Sequence, residues 1–140
     1  MRSYELLLAP FIAWIVAQGI KYIITLRKDG IQISDLYASG GFPSSHTSLI
    51  VSVSVLLGLR RGLEDPLFAL SAILAALIMY DAIGVRRSSG EQAVAIKELA
   101  SKTGKTLVTP IHKAKGHTPQ EVAGGIVVGV LIAFAFYLWV

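Results

Sequence analysis

The chain has 140 residues, of which 54% are hydrophobic and none is cysteine, and its formal net charge at pH 7 is +4. That length allows a single domain, predicted to span residues 1–140, and the apolar fraction exceeds the roughly 45–50% usual for soluble domains. The lack of cysteine excludes disulfides and thiolate chemistry. A nucleic-acid partner is disfavoured, because no aromatic side chains are interleaved with the basic ones.

Four apolar blocks follow one another, at residues 6–26, 45–59, 67–84 and 122–140. A helix needs about 20 residues to cross a bilayer, and the first, third and fourth blocks meet that length. The second meets it only if residues 42–45 are counted. A soluble bundle is the alternative, but the last block is uncharged and carries Trp139 near its end, as an interfacial anchor does. The pattern predicts an all-α integral membrane bundle of about four transmembrane helices.

Positive charge is concentrated in the first and third loops between these blocks, which lie on the same side of the membrane if all four blocks cross it. The positive-inside rule places that side in the cytoplasm and both termini outside. The third loop also contains a candidate amphipathic helix, restarted by residues 88–91 and running to about Ala100. Its apolar face predicts a helix that lies on the membrane surface or on the protein itself.

The second block is preceded by residues 40–47, which read Gly-Gly-Phe-Pro-Ser-Ser-His-Thr. Ser44 or Ser45 is a suitable N-cap, and a helix N-terminus offers unpaired N–H groups and partial positive charge to an anion. The two serines add hydroxyl donors, and His46 can exchange a proton near neutral pH. This stretch therefore predicts a phosphate site.

The fourth block is introduced by residues 116–122, Gly-His-Thr-Pro-Gln-Glu-Val. Thr118 and Glu121 form a predicted capping box, with Pro119 at the first helical position. His117 and Glu121 are four residues apart, so a carboxylate can hold one imidazole nitrogen and leave the other as a nucleophile.

Alternation of the four blocks puts residues 44–46, 81–87 and 117–121 at one membrane face, together with Lys21. These residues have the parts for phosphoryl transfer: cations for the phosphate, one histidine to attack and another to protonate the leaving oxygen. A metal site built from the two histidines, Asp81 and Glu121 is the alternative. It is disfavoured because the histidines lack a close ligand spacing and the nearby cations repel a metal ion. No metal or cofactor is predicted.

Three phrases in this order carry a family resemblance: residues 40–47, residues 80–87 (Tyr-Asp-Ala-Ile-Gly-Val-Arg-Arg) and residues 116–122. The chain resembles the small divergent membrane branch of the type 2 phosphatidic acid phosphatase and vanadium haloperoxidase superfamily. The resemblance implies His117 as nucleophile with Glu121 in place of the family's aspartate, and His46 as general acid. It also implies that Ser44 and the Ser45 amide bind phosphate.

The chain also departs from the superfamily pattern. The arginine expected six residues before the nucleophile is replaced by Ile111. The superfamily's first motif is a lysine, six further residues and then Arg-Pro. Counted from Lys21, the position of the arginine is occupied by Lys28 and that of the proline by Asp29. The superfamily has about six core helices, so a homodimer through the face of Gly125 and Gly129 is one way to complete the site. The candidate substitutes for the missing arginine are Arg86, Arg87, Lys113 and Lys115.

The leading prediction is a metal-independent membrane phosphatase that hydrolyses a lipid phosphate or diphosphate. Its site comprises His117, His46 and Glu121 as catalytic residues, with Asp81, Lys113 and Lys115 in supporting positions. The predicted phosphate ligands are Ser44, Ser45, Lys21, Lys28, Arg86 and Arg87. The first alternative is a non-catalytic binder or carrier of anionic lipid, and the second is a structural membrane subunit.

Overall fold

The computed structural model describes residues 4–29, 40–104 and 116–139, and within them the fold is all-α, as predicted. No strand occurs among these residues, and the side chains of residues 28 and 29 are not described. The five helices are α1 (Glu5–Asp29), α2 (Ser45–Arg61), α3 (Pro66–Ile83), α4 (Val85–Thr103) and α5 (Pro119–Trp139).

Three stretches in the described part of the chain are long and apolar enough to cross a membrane: Glu5–Arg27, Pro66–Thr103 and Pro119–Trp139. Helix α2 has 17 residues, and at 1.5 Å per residue it is about 26 Å long, slightly less than the hydrocarbon core. Large apolar side chains cover the outer surface; Leu7, Leu77 and Leu131 are 73%, 57% and 62% exposed. These features define an integral membrane bundle.

Helix α2 is the centre of the bundle and contacts α1, α3 and α5. Helix α5 also contacts α1 and α3, whereas no Cα of α1 lies within 8 Å of α3. The order around α2 is therefore α1, α5, α3.

Small residues spaced about four apart make this close packing around α2 possible. Without large side chains in the way, helix backbones approach each other closely, which favours van der Waals contact inside a membrane. Two serine hydroxyls of α2 donate to main-chain carbonyls one turn earlier, Ser48 to Ser44 and Ser52 to Leu49. The buried small residues of the three surrounding helices are Ala9, Ala13 and Ala17 of α1, Ser71, Ala75 and Ala82 of α3, and Gly125, Gly129 and Ala133 of α5.

The face of Gly125 and Gly129, which the sequence offered to a second copy, is occupied by α2 of the same chain. A Cβ added to Gly125 would lie 2.5 Å from the Ser44 carbonyl oxygen, and one added to Gly129 would lie 2.6 Å from that of Ser48. The prediction of close helix contact is correct, but the contact is intramolecular, so this face cannot carry a dimer.

The boundary between α3 and α4 differs from the prediction. Helix α4 starts at Val85, three residues before the predicted restart at Ser88, and continues to Thr103. Gly84, with φ −95° and ψ −83°, is the single residue that interrupts the helical path, and no side chain caps α4. The serines that looked like a start signal lie inside the first turns of α4, because glycine alone supplies the break.

The end of the bundle where α1 begins and α5 ends is tied together by Arg60, the next-to-last residue of α2. Its Nε lies 3.3 Å from a carboxylate oxygen of the buried Glu5, and its Nη2 donates to the Phe136 carbonyl at 3.3 Å. Its guanidinium lies 5.0 Å from the ring centroid of Tyr137. Arg60 therefore joins α1, α2 and α5 at the end opposite to the predicted site.

Candidate active site

The three sequence phrases meet at one end of the bundle through backbone hydrogen bonds. The Ser44 N–H donates to the Glu121 carbonyl at 2.8 Å, which ties the start of α2 to the start of α5. The His117 N–H donates to the Ala82 carbonyl at 2.9 Å, which ties the segment before α5 to the end of α3. The predicted convergence of these segments is therefore present in the structure.

Helix α1 reaches the same end through Lys21. A Cβ added to Gly41 would lie 2.9 Å from Lys21 Cε, so the lysine stem passes directly over this turn. Gly41 has φ +95°, a conformation that residues with side chains rarely adopt, and this backbone conformation favours glycine there. Lys21 is thus placed beside the start of α2.

His117 and Glu121 form the pair expected from their spacing. His117 Nδ1 lies 3.0 Å from Glu121 Oε2, and the His117 side chain is only 8% exposed. The same oxygen accepts from the Thr118 N–H at 3.0 Å, while the Glu121 N–H donates to Thr118 Oγ1 at 3.3 Å. Glu121 therefore closes the capping box and engages His117 at once. With Nδ1 occupied, Nε2 is the nitrogen left for chemistry.

A cleft of about 140 Å³ lies beside this pair. Whole small-molecule sites usually enclose about 300–1,000 Å³, so the cleft has room for a head group and not for a long chain. His46 and His117 share its wall with Arg86, and three apolar residues complete the lining: Leu49, Ile78 and Ala82.

The apolar lining residues were not predicted from the sequence. Leu49 lies one turn beyond His46 on α2, and residues with such spacing share a helix face. Extending the face of His46 by one turn would have identified Leu49. Ile78 and Ala82 lie on α3, and the break at Gly84 separates them from the helix of Arg86.

His46 lies on the first turn of α2, outside the three stretches that are long and apolar enough to cross the membrane. Its pKa is lowered from the usual 6.5, chiefly by burial and further by the positive charges of Arg86, His117 and Lys21. The cause is general: burial and nearby cations both disfavour the imidazolium. A bound anion would offset these cations and favour protonation of His46.

The two candidate arginines have different positions. Arg86 lines the cleft, and its Nε donates to Asp81 Oδ2 at 2.5 Å, so Asp81 fixes it from the side. Arg87 instead forms an exposed ion pair with Glu91 at 3.1 Å and is not a lining residue. Of the two, only Arg86 is placed to face a ligand in the cleft.

The serines of the first phrase are buried and do not line the cleft. Ser44 is 0% exposed and is the N-cap of α2, its Oγ accepting from the Thr47 hydroxyl at 2.9 Å and the Thr47 N–H at 3.4 Å. Ser45 is 6% exposed. Among the described residues no acceptor is bonded to the N–H groups of Ser45 and His46, as expected for a helix N-terminus.

The remaining candidates lie outside the described part of the chain. This holds for Lys113 and Lys115, which stood in for the missing arginine, and for the side chain of Lys28. Among the residues whose positions are described, no group of three histidine, aspartate or glutamate side chains could hold a metal ion.

Fold and site together define an all-α integral membrane protein in which two histidines and an arginine line a cleft at one end of the helices. A family model described as "Divergent PAP2 family" matches residues 3–132, and the chain belongs to that family. The chain is also similar to the "Uncharacterized membrane protein YuiD" of Bacillus subtilis (strain 168). The two are 32% identical, over 90% of this chain and 87% of the relative. No solved structure matches the chain.

Proposed function

We propose that this protein is a metal-independent membrane phosphatase that hydrolyses a lipid phosphate or diphosphate monoester through a histidine nucleophile. One observation carries the proposal: His117 Nδ1 lies 3.0 Å from Glu121 on the wall of a cleft that also contains His46 and Arg86. Phosphoryl transfer needs three groups around one small volume: a nucleophile oriented by a carboxylate, a general acid, and a cation that binds the phosphate. Membership in the PAP2-related family supports the same reaction class.

The proposed reaction has two steps. His117 Nε2 attacks phosphorus, the phosphorus–oxygen bond to the lipid breaks, and protonated His46 gives its proton to the departing alkoxide. Water then attacks the phosphohistidine with neutral His46 as base, the phosphorus–nitrogen bond breaks, and inorganic phosphate leaves. Both histidines return to their starting states. Glu121 orients His117 and stabilises the positive charge that forms on its ring.

Phosphate binding in this proposal rests on three groups. Arg86 faces the cleft, Lys21 lies beside the first turn of α2, and the N–H groups of Ser45 and His46 donate from the helix N-terminus. Ser44 acts indirectly, because its buried hydroxyl fixes the helix end that presents those N–H groups.

The test of the proposal is phosphate release from a lipid phosphate in vesicles by the purified protein with EDTA present. We expect turnover that EDTA does not reduce, because the proposed steps use protein groups alone. Turnover that depends on added divalent cations, or no phosphate release from lipid monophosphates and diphosphates alike, would refute it.

The pH dependence should report on His46. We expect kcat/KM to fall as pH rises through the lowered pKa of His46 in the free protein, below 6.5, because the acid must be protonated. A bound phosphate dianion raises that pKa, so kcat should fall at a higher pH than kcat/KM. The His46→Gln variant should be about 10²–10⁴-fold slower than wild type, and its rate should no longer show the decrease with rising pH that His46 causes. Profiles of the same shape in wild type and variant would contradict the acid role, because ionisation of the substrate is common to both.

We also propose that the site faces the cytoplasm. The chain has no cysteine, so single cysteines can report sidedness directly. Leu63, which is 73% exposed, lies in the turn after α2, at the opposite end of the bundle from Ser89 on α4. Each is replaced by cysteine in a separate variant. In intact cells a membrane-impermeant maleimide should label position 63 and should reach position 89 only after permeabilisation. The reverse pattern would place the site outside.

An anionic-lipid binder without turnover is the second candidate, and the ion pair of Arg86 with Asp81 favours it. That carboxylate neutralises part of the charge available to a transition state, while still leaving a cation for ground-state binding. This function predicts phosphate-dependent lipid binding that Arg86→Ala weakens, with no phosphate release and no phosphohistidine. Release that His117→Ala abolishes would exclude it.

A further inference from the structure

Helix α4 begins at the membrane boundary and is too polar to cross the bilayer. The preceding helix α3 has 18 residues, and at 1.5 Å per residue it is about 27 Å long, so it spans most of the hydrocarbon core by itself. Gly84 then breaks the helical path, and α4 follows at Val85, at the end of the bundle that holds the cleft. The 19 residues of α4 include six charged ones, which are costly to bury in lipid. The first turn of α4 therefore lies near the lipid head groups.

Two sides of α4 differ in what they face. Arg86 and Ala93 are seven residues apart and share one side; Arg86 lines the cleft and Ala93 is buried, so this side faces the protein. Val85, Ile96 and Leu99 lie on a neighbouring side, because their spacings of eleven and three residues are close to whole helical turns. They are 56%, 47% and 64% exposed. We call these three residues the apolar side of α4.

The charged residues Glu91, Glu98 and Lys102 occupy the side opposite to the apolar one, as their spacings of seven and four residues place them together. Among the helices that the structure describes, α4 contacts only α3. No described helix therefore covers the apolar side. A helix with one exposed apolar side and one charged side has the pattern of a helix that lies in the plane of a membrane surface.

We propose that α4 lies in the head-group layer of the bilayer that the bundle spans, with its apolar side towards the hydrocarbon and its charged side in water. Two observations favour lipid over a protein partner. The apolar side begins one residue after a membrane-crossing helix ends, and Tyr80, on the last turns of that helix, is 73% exposed, as interfacial aromatic residues are. This inference is independent of the proposed function.

The apolar side, and not the net charge of α4, is what holds the helix on the membrane in this proposal. Two of the four basic residues of α4 are in ion pairs, Arg86 with Asp81 and Arg87 with Glu91. The other two are offset in part by Glu98. Neutral lipid should therefore be sufficient for the placement.

Spin labels at matched positions test the placement. The chain has no cysteine, so the protein in phosphatidylcholine vesicles can carry a single nitroxide at Ile96→Cys or Leu99→Cys. The controls are Val94→Cys and Ser101→Cys, each two residues from one of these positions and therefore about 200° round the helix. The readout is the collision rate of the nitroxide with oxygen, which concentrates in the bilayer, divided by its collision rate with a water-soluble nickel chelate.

We expect this ratio to be severalfold higher at positions 96 and 99 than at positions 94 and 101. Equal ratios at all four positions would place the helix in water and overturn the inference. Low collision rates with both reagents at positions 96 and 99 would also overturn it, because a protein surface, such as a second copy of the chain, would then cover the apolar side.

A charge placed on the apolar side should release α4 from the lipid. Ile96→Asp, added to the Leu99→Cys variant, should lower the oxygen-to-nickel ratio at position 99 severalfold. Lys97→Asp is the matched control: it changes the charge by more, but two residues from Leu99 it faces away, so the ratio should stay within about twofold. Equal effects of the two substitutions would contradict the proposal. So would a high ratio at position 99 that appears only when phosphatidylglycerol is added, because charge would then hold the helix.

Discussion

Replacing His117 with alanine is expected to lower kcat for lipid-phosphate hydrolysis by at least about a thousandfold, because the variant lacks the group that attacks phosphorus. The backbone bond from residue 117 to Ala82 survives the change, since it uses the main-chain N–H. The local structure of the site should therefore persist. Added imidazole should restore part of the lost rate if it can enter the space that the side chain vacates.

Thr118→Ala is the matched control for this variant. It removes the hydroxyl of the same capping box from the adjacent residue and leaves His117 in contact with Glu121. Loss of an N-cap costs about 1 kcal/mol of stability. We expect a modest loss of thermal stability with activity near that of wild type. A Thr118→Ala variant as inactive as His117→Ala would show that the segment, and not the imidazole, is what catalysis requires.

Gly129→Ala should destabilise the fold strongly. The added Cβ would lie 2.6 Å from the Ser48 carbonyl oxygen and 2.9 Å from Val51 Cβ. Because the first of these is backbone, α2 and α5 must move apart. We expect a loss of about 2–3 kcal/mol in the free energy of unfolding, measured by denaturant or heat in detergent. The site lies at the end of the helices, so the loss should appear in stability before it appears in catalysis.

Gly19→Ala provides the comparison, because it is the same change on an exposed helix position. No atom lies within 4 Å of the added Cβ at Gly19. Alanine favours the helix over glycine by about 1 kcal/mol, so stability should be unchanged or slightly raised. Equal destabilisation by the two substitutions would show that close packing of α5 on α2 does not hold the bundle together.

Much of the fold followed from the sequence, because apolar block length and capping residues are local signals. Ser44, Thr118 and Glu121 act as caps in the predicted manner, and the three predicted segments meet at one end of the bundle. The start of α4 was placed three residues late, because serines next to a glycine resemble a cap whether or not their side chains bond to the helix.

Local sequence signals do not show which partner each face of a helix contacts. A pair of glycines four apart predicts close helix contact and does not say whether the partner helix belongs to the same chain. Likewise, Arg86 and Arg87 are neighbours in sequence, but successive helix positions are about 100° apart. Only the packing of α3, α4 and the segment before α5 decides that Arg86 faces the cleft and Arg87 faces Glu91.

The nucleophile assignment is tested most directly by trapping the covalent intermediate. Wild-type protein is mixed with a lipid phosphate labelled at phosphorus and quenched in alkali within one turnover, because phosphohistidine survives alkali better than acid. Peptide mapping should place the label on His117, and the His117→Ala variant should carry none. Label on another residue, or phosphate release with no labelled protein at any time, would contradict the account.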